Sequence, residues 1–398
     1  MQQEHETFPE YFYTELKDEL QSITDYWITH SLDENSGGFV GQRDHENKQI
    51  PQANKGVILN TRILWSFSAI AQFSGDAKPL QLATRAFNYL YDFFQDKKYG
   101  GVYWELNANG TPINRKKQVY AQAFAIYGLS QYYLLTKEEN SRSWAISLFE
   151  LLEEHALDSD NEGYIEAFQE NWSVVEDMRL SEKDQNAAKT MNTHLHVLEA
   201  YTLLYHIYPD PKVKKSLENL IHIFLDRFLD KKGHFHLFFD NNWQLLSSTI
   251  SFGHDIEAAW LLIEAAKVTK NTELLQKTEK TALQVAKTFL KEGYIQGKGV
   301  LNEWHQETQK MDTDRHWWPQ AEAMVGLLYA YKIDPADMYK TAIIDIWDFT
   351  KTHIIDHKNG EWFFRIDENN QAYTSEDKLG MWKCPYHNSR ALIKLLDQ

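Results

Sequence analysis

Three histidines, His196, His254 and His387, have the spacing and the neighbours to do proton chemistry. Each stands near the start of an apolar stretch of helical period, with a second polar group on the same face. Asn192 precedes His196 by four residues, Glu257 follows His254 by three, and Arg390 follows His387 by three. An imidazole titrates at about pH 6.5, so it accepts and donates protons near neutrality better than an ordinary carboxylate or lysine. His194, two residues from His196, diverges from it around a helix, so the pair cannot chelate one ion as an HxxxH or HExxH pair would. No Asp/Glu cluster with metal-ligand spacing accompanies these histidines, and no metal or other cofactor is expected. Cys384, the single cysteine, has no visible activating partner and reads as a buried structural thiol.

The elements that must hold these groups repeat along the chain. Glycine-centred turns fall at Gly38, Gly101, Gly163, Gly233, Gly299 and Gly360, in steps of 63, 62, 70, 66 and 61 residues. Four of them follow an aspartate, Asp33, Asp96, Asp158 or Asp356. Between the turns the apolar spacing predicts twelve helices, over 9–31, 57–74, 77–97, 119–135, 138–157, 186–208, 211–230, 252–269, 272–292, 317–332, 336–354 and 385–397. Such a period means stacked units that cannot bury their apolar faces alone. The expected fold is all-α, six helical hairpins closed into a toroid with an inner and an outer ring, the terminal helices completing the sixth pair. An open superhelix would leave both ends of its core uncapped.

The helices that follow the long loops are short of charge and should form the inner ring. Their remaining polar groups do not belong in a core: Asn60 and Arg62; Tyr120 and Gln122; Asn192, His194, His196 and Glu199; His254 and Glu257; Trp317, Trp318 and Glu322; His387 and Arg390. Most lie in first turns, so all six clusters converge on one mouth.

No Pro/Ser/Gly-rich linker interrupts the repeat, and one domain over 1–398 is expected. A net charge of −16 disfavours nucleic acid and anionic membranes, while a small neutral ligand meets no such field. No apolar run approaches a bilayer span, and an N-terminus with Glu4, Glu6, Glu10 and Glu15 is unlike a signal peptide. A cytoplasmic protein, monomeric or weakly self-associating, is expected. Aromatic residues make up 14% of the chain and many lie in the glycine loops, where flat faces suit sugar rings; packing of the rim is the competing reading for Trp104 and Trp362.

Several segments together resemble the cellobiose 2-epimerases of the N-acylglucosamine 2-epimerase superfamily. They are Gly37-Gly38-Phe39-Val40-Gly41, Leu59-Asn60-Thr61-Arg62-Ile63-Leu64-Trp65, Asn192 to Ala200, Gly253-His254-Asp255-Ile256-Glu257, Trp317 to Glu322 and Trp382 to Asn388. The resemblance covers essentially the whole chain and implies an (α/α)6 barrel. It further implies metal-independent inversion at C2 of the reducing-end glucose of β-1,4-linked disaccharides. On that resemblance His254 and His387 are the acid/base pair and His196 lies near the ring oxygen and C1. Arg62, Tyr120, Asp184, Asn192 and Glu257 would bind or polarise sugar hydroxyls. Trp382 and one of Trp317 or Trp318 would stack on the sugar, and Trp304 would hold the second ring.

Inversion at C2 needs ring opening, removal of a weakly acidic proton from one face and return of a proton to the other, for which two bases on opposite faces are the direct solution. The cis-enediolate between these steps carries charge that Arg62 and a protonated His196 would meet, with Glu257 orienting His254. Three other readings compete: a monosaccharide 2-epimerase or aldose-ketose isomerase with a shorter cleft, an inverting glycosidase using Glu257 and Glu322, and a non-catalytic sugar- or protein-binding barrel.

Overall fold

In the computed structural model, which describes residues 8–398, the glycine loops separate helical hairpins along the whole chain. Glu4 and Glu6 lie outside the described residues. The inner helices are α2 (Val57–Ser74), α4 (Val119–Thr136), α6 (Met191–Ile207), α8 (Phe252–Thr269), α10 (Trp317–Ile333) and α12 (Tyr386–Leu396). The outer ones are α1 (Glu10–His30), α3 (Ala77–Tyr89), α5 (Glu139–His155), α7 (Pro211–Ile223), α9 (Thr272–Glu292) and α11 (Asp337–Phe349). Each of α3, α7 and α11 runs on into one π-helical turn, which accounts for the longer spans that periodicity predicted.

Burial separates the two rings as composition does. Every residue of α4 from Val119 to Tyr132 is buried, because outer helices cover one side and the barrel interior the other. On α9 only a stripe is buried, Leu274, Thr278, Thr281, Ala282, Val285, Ala286 and Phe289, leaving the charged face to solvent. Adjacent inner helices touch in the order α2, α4, α6, α8, α10, α12 and back to α2. Two glycines let them approach: a Cβ on Gly128 would meet the Thr61 carbonyl oxygen at 2.8 Å, and one on Gly326 the Ile256 carbonyl oxygen at 2.7 Å. The hairpin α1 with α12, built from opposite ends of the chain, closes the ring.

Short antiparallel strands latch each repeat to the next just before an inner helix. Lys55–Gly56 pairs with Glu105–Leu106, Lys117–Gln118 with Ala167–Phe168, Lys189–Thr190 with Phe238–Phe239, Thr249–Ser251 with Glu303–His305, and Arg315–His316 with Arg365–Ile366. The strand at Lys189 makes α6 begin at Met191, five residues later than the apolar pattern suggested, with the Thr190 hydroxyl capping it by accepting from the Thr193 N–H. The four aspartates before the glycine turns each bind a lysine: Asp33 with Lys55 at 2.7 Å, Asp96 with Lys117 at 2.7 Å, Asp158 with Lys189 at 2.8 Å, Asp356 with Lys378 at 2.8 Å. Their other oxygens accept turn N–H groups, as Asp96 does from Lys98 and Tyr99. Asp230 caps a fifth turn in the same way, through Lys232, Gly233 and His234.

Candidate active site

The latches bring the first turns of the inner helices to one mouth, and many of the groups singled out from the sequence lie in these turns, while Glu199 and Arg390, further along α6 and α12, border a hollow lined by the other ends of the inner helices. His254, in the first turn of α8, lines a cavity of about 310 Å3 together with Asn192, Lys183, Asp184, Glu303 and His305. Lys183 also borders a second hollow of about 430 Å3, lined by His316 and Trp382. The indole of Trp318, in the first turn of α10, neighbours two imidazoles, with ring centroids 4.7 Å from His254 and 5.6 Å from His387. Trp317 turns inward instead, buried against Phe364 at 4.6 Å.

His387 places Nδ1 2.7 Å from Oε1 of Glu322, and His196 places Nδ1 3.0 Å from Oε2 of Glu199. A carboxylate only accepts hydrogen bonds, so both rings carry their proton on Nδ1 and leave Nε2 bare. His254 has Nδ1 2.8 Å from the Ser251 hydroxyl, a group that can donate or accept. Burial pushes His254 and His387 down to about 3; His196 adds to the effect at His254, and Glu322 opposes it at both. Both imidazoles therefore rest neutral near neutral pH.

Two sequence expectations about charge are corrected here. His196 is held below the ordinary imidazole range by burial, which outweighs Glu199, so it rests neutral and not as the cation expected beside an enediolate. Glu257 does not orient His254: its Oε1 accepts from Arg390 at 2.7 Å and lies 3.9 Å from Nδ1 of His387, because that face of α8 is turned across the barrel toward α12. The partner of His254 is Ser251, at the N-cap of α8. Its position three residues before His254 was visible in the sequence and passed over.

Arg62 reaches the Tyr120 hydroxyl at 2.8 Å and lies over the Phe124 ring at 4.3 Å, with Cys384 Sγ at 3.9 Å. Cys384 is fully buried, as a structural thiol would be. Tyr120 packs edge-on to His196 at 5.0 Å and lies 6.1 Å from Trp382. Asp184 accepts from the Ser181 N–H and hydroxyl at the cavity wall, while the buried Asn192 Oδ1 has no protein partner. His194 is not part of this group. Its Nδ1 meets the Thr190 carbonyl at 2.7 Å and its Nε2 accepts from the Tyr164 N–H, fixing the glycine turn.

Trp304 departs from its expected position. It is the central residue of the strand Glu303–His305, and Glu303 and His305 line the His254 cavity, so alternation along the strand turns Trp304 to the opposite face, against the core. Trp362 is fully buried, donating to Glu19, and Trp104 is buried beside Trp382.

The sequence also failed to show a carboxylate cluster. Glu257, Glu322 and His387 can bring ligand atoms within 4.8 Å of one another. Arg390 stands where a cation would, its Nη2 2.7 Å from both Glu257 and Glu322. The same geometry removes the glycosidase assignment, because two carboxyls on one guanidinium leave no room between them for a sugar and a water; inverting pairs stand roughly 6.5–9.5 Å apart.

Residues 37–391 match the family model of N-acylglucosamine 2-epimerase (GlcNAc 2-epimerase). The chain is 43% identical to a cellobiose 2-epimerase of Bacteroides fragilis over 96% of its own length and 99% of that protein's, and 36% identical to a cellobiose 2-epimerase of Dictyoglomus turgidum over 92% of each. The solved cellobiose 2-epimerase of Bacillus thermoamylovorans superposes with a TM-score of 0.94 at 35% identity, covering 98% of this chain and 100% of that one. Sequence and architecture agree along nearly the whole length, and the chain belongs to the N-acylglucosamine 2-epimerase family.

Proposed function

We propose that the protein is a cellobiose 2-epimerase, inverting C2 of the reducing-end glucose of β-1,4-linked disaccharides to mannose. The observation that carries this reading is the pair His254 and His387, both neutral, on separate helices and both packed near the Trp318 indole. One imidazole accepts the C2 proton from a ring-opened sugar; the negative charge left on the enediolate lets the other take up a proton from solvent and pass it to the opposite face, and the first then releases its own proton to solvent. Arg62 is the cation for the charge that develops on O1 and O2, and the first turns of the inner helices add their positive ends to the same region. Asn192, Asp184 and Tyr120 are placed to take sugar hydroxyls, and Trp318 and Trp382 offer faces to the rings. The hollows on either side of Lys183 give room beyond one ring, which supports a disaccharide over a monosaccharide.

No helix among the described residues is long and apolar enough to cross a membrane. The acidic composition and single cysteine support a cytoplasmic location and one domain over 1–398. Incubation with cellobiose in D2O tests the function. Glucosyl-mannose carrying deuterium at C2 is expected, since the proton lifted by one histidine is not the proton returned by the other. A ketose product would assign the chain to aldose-ketose isomerisation; free monosaccharides, no change, or unlabelled epimer would overturn the two-base reading.

A further inference from the structure

Arg390 was visible in the sequence as the neighbour of His387 one turn away, and no sugar-binding role uses it. It is 1% exposed and forms the centre of the charged cluster. Its Nη1 bonds Glu199 and the Tyr386 hydroxyl, and its Nη2 bonds Glu257 and Glu322, both at 2.7 Å. Two of those three carboxyls are the partners of catalytic-site imidazoles: Glu199 of His196 and Glu322 of His387. One guanidinium, from α12, thus holds the groups that orient two rings on two different helices.

Charge counting gives the consequence. Three carboxyls share one buried cation, and three ionised groups there would leave two uncompensated charges, so at least one keeps its proton. Glu322 has three donors, His387, Arg390 and the Trp260 N–H at 3.0 Å, and Glu199 also has three, Arg390, Tyr386 and His196. Among the described residues Glu257 accepts from Arg390 alone. We propose that Arg390 is a positioning residue that keeps Glu199 and Glu322 ionised and the odd proton on Glu257, and thereby holds His196 and His387 as Nδ1–H tautomers with bare Nε2. This rests on the epimerase reading only for its meaning in catalysis. Burial and the charge of Glu322 raise Glu257 well above the carboxylate range, while Arg390 holds Glu199 and Glu322 below it against their burial. The other charged group that bears on His387 is Arg62, which cannot serve as a hydrogen-bond acceptor.

Without Arg390, Glu322 or Glu199 takes up a proton, and a protonated carboxyl can donate to the imidazole instead of accepting from it. The ring then moves its proton to Nε2 and is no longer a base toward the cleft. The tautomers can be read directly by long-range 1H–15N spectra of protein labelled in histidine, without substrate, so the result is independent of whether cellobiose is epimerised. In the wild-type chain His196 and His387 should both show protonated Nδ1 and bare Nε2. Arg390→Met should convert at least His387 to the Nε2–H form and lower kcat by about 100-fold or more, whereas Arg390→Lys, which restores charge but not the bidentate fork, should keep the tautomer and lose roughly tenfold. Circular dichroism checks the fold of each. If Arg390→Met does not fold, Glu322→Gln takes its place, since its amide can donate to Nδ1 and should flip His387 while leaving His196 unchanged. Nε2–H at His387 in the wild type, or an unchanged His387 tautomer in folded Arg390→Met or Glu322→Gln, overturns the proposal.

Discussion

Two arrangements of buried charge in this barrel stand in contrast. At the repeat boundaries each aspartate meets one lysine, and the arrangement recurs four times with its lone pairs filled by turn N–H groups. Deeper in the barrel three glutamates meet one arginine, once, and two of them pass the interaction on to imidazoles. The balanced pairs hold loops to strands and have no proton to move. The unbalanced cluster must retain a proton, and it bonds His196 and His387, two of the imidazoles proposed for the site. Repetition with neutrality marks scaffold in this molecule; a single excess of one charge marks chemistry.

The sharpest way to break that contrast is at the imidazoles. His254→Ala and His387→Ala should each lower kcat by about 1,000-fold or more while leaving helical content intact, as removal of one of two essential bases does. Near-normal turnover in either variant would remove that ring from the acid/base role, and loss of helicity would make it scaffold. Next in size, the acid limb of kcat/KM should lie well below pH 6.5. The folded-state pKa values of both rings are depressed, so the neutral form persists as pH falls through the ordinary imidazole range. An acid limb at about 6.5 would mean that the rings are solvated.

Lys117→Met tests the scaffold side. Unpairing a buried aspartate should cost about 3–5 kcal/mol of stability, read as a lower Tm, with kcat nearly unchanged at a temperature where the variant is folded. The pair also sets a pH signature. Lys117 holds the Asp96 carboxyl below its ordinary value despite burial, so this stabilisation is present above the unfolded aspartate value of about 3.9 and lost as pH falls below it. Equal loss of kcat and stability in Lys117→Met would erase the distinction between the two kinds of charge. Smaller still, Trp304→Ala should change kcat/KM on cellobiose by less than about threefold, since its face of the strand is turned from the cavity, while Trp318→Ala should cost about 10-fold or more. Activity should also survive exhaustive chelation, because Arg390 holds the position between Glu257 and Glu322; loss in EDTA restored by a divalent ion would contradict that.

Helix period and the glycine interval exposed most of the fold, since a doubly covered helix such as α4 has no way to hide its apolar residues. The start of α6 was misread because Lys189 and Thr190 belong to a two-residue strand, too short to leave a period. At the site, the histidines were legible from their position in first turns. Their partners were not: Glu322 reaches His387 from another helix, 65 residues away, and no one-turn spacing rule connects them. The same rule assigned Glu257 to His254 when the side chain crosses the barrel to Arg390. Trp304 was judged by its type alone, and only the pairing of its strand with Thr249–Ser251 shows which way it faces.

The closing of the ring by α1 and α12 also sets an order in time. His387 and Arg390 are on α12, made after the eleven helices before it, so a growing chain builds the rest of the cradle before it has both of the proposed bases. Until α12 docks, Glu199, Glu257 and Glu322 face one another without a counterion and must stay protonated or wet. The last helix therefore arrives as the missing cation of an anionic socket. Chemistry begins in this protein at the moment the ring becomes a ring.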